Sequence, residues 1–377
     1  MRSLIQSTPR PRSVKEKLSY QLGRVATQLV GAVQPKKQAN LPRQYNFEPH
    51  VFFKRNTGSH YGVMIPDLPE PFRYMCYASV LGEVGTFVTH VPPSLSKYPA
   101  HDTATLIHGT ALSTSAQAFR VYSIKEQIRY SKQPFRIDFA SGTSLFEQDG
   151  VYHLQTKEQG FEVNLTLTPT SAMTWFSYSS IYQHFSLLMQ YQGYFVQDGQ
   201  RVEISGLSTM EHWKVNTSML PNIIFNGQHL MPLDCFSYQV INLDAEQQLV
   251  LVYIGFAGQP AYTAVSYRHI DGHSIQYDGD IEFRVQALKT DAMMTPDGVV
   301  MEVPHAFRWV AHHQGEKVLD LLGVVDTPYC YGVAAGYVTS YQWSGQFNGE
   351  DLKGRGYMEY SDRRREAHAH LYRKKQV

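Results

Sequence analysis

Aspartate or asparagine followed directly by glycine recurs along this chain, at Asp149-Gly150, Asp198-Gly199, Asp271-Gly272, Asp278-Gly279, Asp297-Gly298 and Asn348-Gly349. Such pairs meet the positive φ angles of tight hairpin turns. Between them the apolar residues keep a period of two. Phe161, Val163, Leu165 and Leu167 alternate with Glu162, Asn164 and Thr166, and Phe236, Tyr238 and Val240 alternate with Ser237 and Gln239. These patterns predict half-buried strands joined hairpin to hairpin, hence an all-β antiparallel sandwich or barrel, and weak helical patterning argues against a parallel α/β fold. An apolar share of 43 % with 18 % charged and 13 % aromatic residues excludes a disordered or coiled-coil chain. At roughly 150 residues per domain the length fits about two domains. The similar endings Val202-Glu203-Ile204-Ser205-Gly206 and Tyr341-Gln342-Trp343-Ser344-Gly345 point to two related halves. The expected division is a basic segment 1–43, a first barrel 44–200, a second barrel 201–360 and a basic tail 361–377.

The net charge of +1 hides an uneven distribution: +8 over residues 1–43, +4 over 361–377 and −11 over the body. An acidic body is a poor nucleic-acid binder, whereas its basic ends suit an anionic membrane surface. Val14, Leu18, Leu22, Val25, Leu29 and Val33 predict an amphipathic helix over 13–34, with Ser13 and Glu16 as its capping box and Pro35 just past its end. Two readings of it stay open, packing on the protein's own body or lying on a membrane interface. No run is long enough to span a bilayer, and Arg2 is followed by no apolar stretch of a secretory signal. Cys76, Cys235 and Cys330 form no pair at disulfide-framework or zinc spacing. A cytoplasmic protein, peripheral on the inner face of the membrane if the helix lies there, is the expectation.

Phosphate-loop, nucleophile-elbow and zincin signatures are missing, Lys353-Gly354-Arg355-Gly356-Tyr357 lacks a dinucleotide fingerprint, and the histidines have no ligand spacing. No cofactor and no metal are expected. The densest chemistry is Gly206-Leu207-Ser208-Thr209-Met210-Glu211-His212-Trp213, where a carboxyl group, an imidazole and an indole follow one another. Glu211 among rings loses hydration of its charged form, which raises its pKa and makes it a candidate acid with His212 beside it; a surface Glu-His pair next to a packing Trp is the alternative. Arg355, Tyr357 and Glu359 share one face of a strand, which offers a buried Arg-Glu pair.

Three segments resemble the carotenoid 1,2-hydratase and AttH-like family. They are Val202 to Trp213; Pro232-Leu233-Asp234-Cys235-Phe236-Ser237-Tyr238-Gln239-Val240 with the Gln248–Tyr253 strand; and Trp343-Ser344-Gly345, Asn348-Gly349 and Gly354-Arg355-Gly356-Tyr357-Met358-Glu359-Tyr360. The chain is most similar to a bacterial domain-of-unknown-function subgroup related to that family. The resemblance implies two lipocalin-like β-barrels side by side and apolar ligands, and it assigns alkene protonation to Glu211. It departs from the family at Glu211 (usually Asp), Thr209 (often aromatic) and Cys235 (expected Trp).

Three functions follow as expectations. The first is binding of a lipophilic small molecule, isoprenoid or acyl, with Trp213, Trp175, Tyr238, Asp234, Tyr357, Glu359 and Arg355 as ligand-binding residues. The second is a cofactor-independent hydratase, cyclase or isomerase in which Glu211 donates a proton and Trp213 and Trp175 stabilise the cation. The third is a structural module with solid barrels.

Overall fold

The computed structural model describes residue 38 and residues 40–49, 57–216, 233–277, 279–333 and 335–367. The helix expected over 13–34 and the end of the basic tail lie outside them. Strand takes 65 % and helix 5 %, so the fold is all-β, as two lipocalin-like barrels.

The first sheet holds β1 (Thr57–Ile65), β2 (Met75–Leu81), β3 (Thr103–Thr110), β4 (Phe119–Ser123), β5 (Ile128–Ser131), β6 (Arg136–Phe139), β7 (Thr143–Gln148), β8 (Val151–Glu158), β9 (Phe161–Tyr178), β10 (Tyr182–Gln197) and β11 (Gln200–Asn216). Their order across the sheet is β4-β3-β2-β1-β11-β10-β9-β8-β7-β6-β5. The second half supplies β12 (Leu233–Asn242), β13 (Gln247–Phe256), β14 (Gln259–His269), β15 (Ser274–Gln276), β16 (Ile281–Leu288), β17 (Met293–Met294), β18 (Val300–Met301), β19 (Pro304–His313), β20 (Glu316–Val325), β21 (Cys330–Val333), β22 (Gly336–Phe347) and β23 (Glu350–Asp362). Here the order is β15-β14-β13-β12-β23-β22-β20-β19-β16, with β21 on β22 and a separate β17–β18 ribbon. In each half the first long strand pairs with the last, β1 with β11 and β12 with β23. The first sheet curls into a half-barrel and the second is nearly closed.

The turns follow the glycine pairs. Asp149-Gly150 (φ 53° and 80°), Asp198-Gly199 (51° and 82°) and Asn348-Gly349 (49° and 85°) join neighbouring strands as two-residue turns with both φ angles positive. Ala257-Gly258 and Gln314-Gly315 do the same work without an Asp or Asn to announce it. Gly279 lies between β15 and β16, which do not pair, so the expected hairpin there is corrected; Asp278 itself lies outside the described residues. The boundary at residue 200 also moves. Residues 201–216 pair with β10 and β1, because β11 must close the first sheet before the chain crosses over.

Three apolar layers result. One fills the first barrel, with Leu106, Ile137, Leu154, Leu165, Leu187 and Met210 among its members, and a second fills the second barrel around Phe283, Phe307, Trp309 and Tyr341. The third lies between the barrels, where Met64, Tyr74, Cys76 and Phe176 of one sheet meet Tyr238, Val240, Val252 and Tyr357 of the other. Arg73 ion-pairs with Asp326 and Arg355 Nη2 reaches Glu70 Oε1 at 2.7 Å, both across that junction. At the start of the C-terminal tail Arg363, Arg364 and Arg365 are committed to Asp297, Asp362 and Glu302.

In each sheet a glycine packs directly against the backbone of the neighbouring strand. A Cβ on Gly193 of β10 would stand 2.1 Å from Asn164 O, and one on Gly345 of β22 would stand 2.0 Å from Asp320 O. Beside each of these glycines the outer face opens a groove, of about 520 Å³ at Gly193 and about 310 Å³ at Gly345. Gly193 is thus the counterpart of Gly345 in the first half, in place of Gly206. Because the contacted atom is backbone in a ladder, Gly345→Ala is expected to cost on the order of 2–4 kcal/mol in urea unfolding. Unchanged stability would contradict this close approach of Gly345 to the Asp320 backbone.

Candidate functional site between the barrels

Side chains alternate along β11, and this separates the Glu211-His212 pair. Met210 and His212 point into the first barrel, where the His212 ring lies 4.7 Å from Tyr61 and 5.5 Å from Phe47. Thr209 and Glu211 take the other face, toward the second barrel, where Thr209 Oγ1 donates to Gln248 Oε1 at 2.8 Å. The expectation that His212 stands beside Glu211 is therefore corrected.

Glu211 is 2 % exposed, and its partners come from the strands on either side. His60 on β1 brings Nε2 to 2.8 Å from Oε1, and His184 on β10 brings Nε2 to 3.6 Å from Oε2. The other nitrogen of His60 meets Ser79 O at 3.0 Å, so both ring nitrogens face acceptors. Burial alone would push the Glu211 carboxyl up. The hydrogen-bonding and charge of His184 and His60 outweigh it and hold the group well below the usual carboxylate range. The raised pKa expected of Glu211 is thus overturned, because imidazoles rather than apolar rings surround it. Gly62 stands opposite Glu211, where a Cβ would come to 3.0 Å from Glu211 Cγ and 3.1 Å from His60 Nε2.

The second barrel completes the layer. Tyr238 places its hydroxyl 3.2 Å from Ser186 Oγ, and burial followed by the charge of Glu211 drives that phenol far up. Arg268 is fully buried; it donates to Ser186 Oγ at 2.8 Å, to Thr209 Oγ1 at 2.9 Å and to Gln248 Oε1. Burial lowers the Arg268 pKa to about 10, against the upward pull of Tyr238 and Glu211. Glu359, 1 % exposed, accepts from Tyr357 Oη at 2.9 Å. Burial and then the charge of Glu211 push the Glu359 carboxyl well above the usual range, which the Tyr357 bond only partly opposes. One layer thus holds one carboxyl group shifted down and one shifted up, the kind of separation that assigns base and acid roles in proton-transfer sites.

Of the other expected site residues, Trp213 is half-buried and stacks on His60 at 5.6 Å, beside the Glu211 cluster. Trp175 is in the first barrel against Phe185, on the opposite side of the sheet from Glu211. Arg355 shares a face with Glu359 but pairs with Glu70 and Asp67, so the expected Arg-Glu pair within the strand is corrected: Arg355 sits at the rim, where the first barrel offers acids. Asp234 Oδ2 accepts from the backbone N–H of Gly258 at 2.8 Å and holds the β13–β14 turn. Sequence reasoning missed His60, His184, Gln248 and Arg268, which are brought to the layer by register across four strands and carry no local motif.

It also missed the filling of the first barrel. Leu41, Tyr45 and Phe47 pack against its core, and the Phe47 ring lies 5.1 Å from Tyr152, 5.2 Å from Phe185 and 5.8 Å from Phe135. Trp175 Nε1 donates to Pro42 O at 2.8 Å, and Tyr61 Oη to Phe47 O at 2.9 Å. Gln38 bonds both backbone groups of Trp175 and, at 2.8 Å, Gln276 of the second barrel.

The two carboxyl groups carry opposite pH signatures. Glu211, lowered on folding, stabilises above the unfolded carboxyl pKa of about 4.3, and that stability is lost as pH falls through its folded value. Glu359, raised on folding, favours the fold while protonated, and its contribution is lost as pH rises from about 4.3 through its folded value. Glu211→Gln is expected to cost about 3 kcal/mol at pH 7, and Glu359→Gln to be neutral or stabilising there and to flatten the alkaline limb. Urea unfolding between pH 4 and 9 measures both; equal costs would contradict the assignment.

The fold has solved relatives. A crystal structure of an AttH-like protein from Nitrosomonas europaea is 13 % identical, with a TM-score of 0.54 over 82 % of this chain and 93 % of that one, which speaks for a shared fold. Two structures of CghA, one with Sch210972, are 6 % and 7 % identical at TM-scores of 0.43 and 0.44. They cover 81 % and 88 % of this chain and 89 % and 96 % of theirs, and scores this low add nothing to the argument. No curated protein sequence matches. The family of unknown function DUF6670 matches residues 78–373, and the chain belongs to that family.

Proposed function

We propose that the protein binds a lipophilic small molecule of isoprenoid or acyl type inside its first lipocalin-like barrel. One observation carries the reading. The concave face of the half-barrel is lined by Tyr61, Phe135, Tyr152, Trp175 and Phe185, and what covers these rings is not the sheet but the chain segment around Tyr45 and Phe47. An aromatic interior covered by a separate segment accepts another apolar body in the same place. The second barrel differs, since Phe283, Phe307, Trp309 and Tyr341 of its own strands interlock across it. Organic-solvent extraction of freshly purified protein, followed by mass spectrometry beside an unrelated control, is expected to recover a stoichiometric isoprenoid or acyl compound. An empty extract, together with failure to take up any such compound when supplied, would refute the reading.

A second reading, proton transfer to an isoprenoid-like alkene, is favoured by the carboxyl pair between the barrels. Its roles differ from those expected of the sequence: Glu359 holds the proton and is the donor, while Glu211, held ionised by His60 and His184, is the base that takes a proton back. Trp213 and Tyr182 beside His60 and His184 supply ring faces for a developing cation. On this reading Glu359→Gln abolishes turnover of the extracted compound or its product and leaves binding within about twofold. Full turnover by that variant would exclude Glu359 as the acid.

A further inference from the structure

The interior of the first barrel specifies its ligand more closely than its apolar lining does, through His212, the imidazole that faces it beside Phe47, while His108 faces the same interior against Tyr77 and Phe161. His212 is 1 % exposed, with its ring against Phe47, Tyr61 and Phe185. Nδ1 lies 2.8 Å from His60 O, and a carbonyl oxygen only accepts, so Nδ1 carries the proton. Burial keeps this ring neutral, its pKa pushed down to about 3. Nε2 is then a bare acceptor, and among the described residues it has no hydrogen-bond partner. A buried acceptor of that kind costs about 1–3 kcal/mol while unmet, and only a donor relieves it. A ketone, an ester or a carboxylate brings no donor; a hydroxyl does.

The segment over these rings is fastened by few bonds. Tyr45 is half-buried and Leu41 is partly buried at its edge, and the polar ties are those of Gln38 with Trp175 and Gln276, Pro42 O with Trp175, Phe47 O with Tyr61, Glu48 with Gln133 and Tyr45 with Tyr152. The segment forms no strand and adds no rung to either sheet. Its three apolar side chains occupy a space on the order of a few hundred Å³, the scale of a small-molecule pocket. On leaving, they would uncover His212 together with Phe135, Tyr152 and Phe185.

We propose that the first barrel takes an apolar alcohol in the space held by Leu41, Tyr45 and Phe47, with the alcohol donating its hydroxyl proton to Nε2 of His212 and the segment leaving as the ligand enters. This rests on the ligand-binding reading above and names the ligand class and the competitor for that site. The segment acts as an internal occupant, so affinity for the alcohol is reduced by the free energy of displacing it.

Retinol, a fluorescent isoprenoid alcohol, is the probe, with retinyl acetate and retinoic acid as its donor-free and anionic counterparts. The full-length protein is expected to bind retinol at least tenfold more tightly than either counterpart, and His212→Phe, which keeps the ring and removes the acceptor, to erase that preference while the apolar contacts persist. Gln38→Ala, which removes the segment's bonds to the Trp175 backbone and to Gln276, is expected to tighten retinol binding several-fold. In wild-type protein, saturating retinol is expected to raise amide hydrogen exchange over residues 41–48 while β10 stays protected. If retinol binds but residues 41–48 keep their protection, or His212→Phe keeps the preference for the alcohol, this inference falls and the ligand-binding reading stands. If none of the three probes binds to wild-type protein or to Gln38→Ala, the ligand-binding reading falls with it.

Discussion

Burying Glu211 between two sheets dictates much of what surrounds it. A carboxylate without water needs cations or donors on every side, and here they come from four strands: His60 and His184 from its own sheet, with Arg268 and Tyr238 contributing charge and a phenol across the junction. Arg268 is fully buried and bonded to Ser186, Thr209 and Gln248, so neither sheet can satisfy this layer alone. The requirement makes the two barrels one unit. In the same layer burial, and then the charge of Glu211, pushes the Glu359 carboxyl well above the usual range.

The same alternation that builds this layer divides the chemistry of β11 between two places. Glu211 serves the junction and His212 the interior of the first barrel, although the two are adjacent in sequence. The separation explains how one strand contributes to a polar cluster and to an apolar interior without either compromising the other. A neutral imidazole at His212 suits the apolar interior, and His60, with acceptors at both ring nitrogens, suits the carboxylate.

The fold was legible in the sequence where local stereochemistry determines it. Asp149-Gly150, Asp198-Gly199 and Asn348-Gly349 mark their hairpins because positive φ is demanded there, and the alternation at Phe161–Leu167 follows from one buried face. Ala257-Gly258 and Gln314-Gly315 were invisible because the strands they join, not the turn residues, impose the geometry. Glu211, Tyr238, Tyr357 and Glu359 were found by motif and do share the junction. Their electrostatics were not legible, since His60, His184 and Arg268 reach Glu211 through register and through a second sheet. Arg355 misled for the same reason: its acid partners, Glu70 and Asp67, belong to the other barrel.

The central claim is that the ligand chamber is the first barrel and not the junction or the outer grooves. Photo-crosslinking with a diazirine-tagged long-chain alcohol, followed by peptide mapping, tests it most directly. The account predicts adducts on peptides carrying Tyr61, Tyr152 and Phe185, suppressed by excess retinol. Adducts confined to the outer grooves beside Gly193 and Gly345, or to Tyr238 and Tyr357 at the junction, would contradict it.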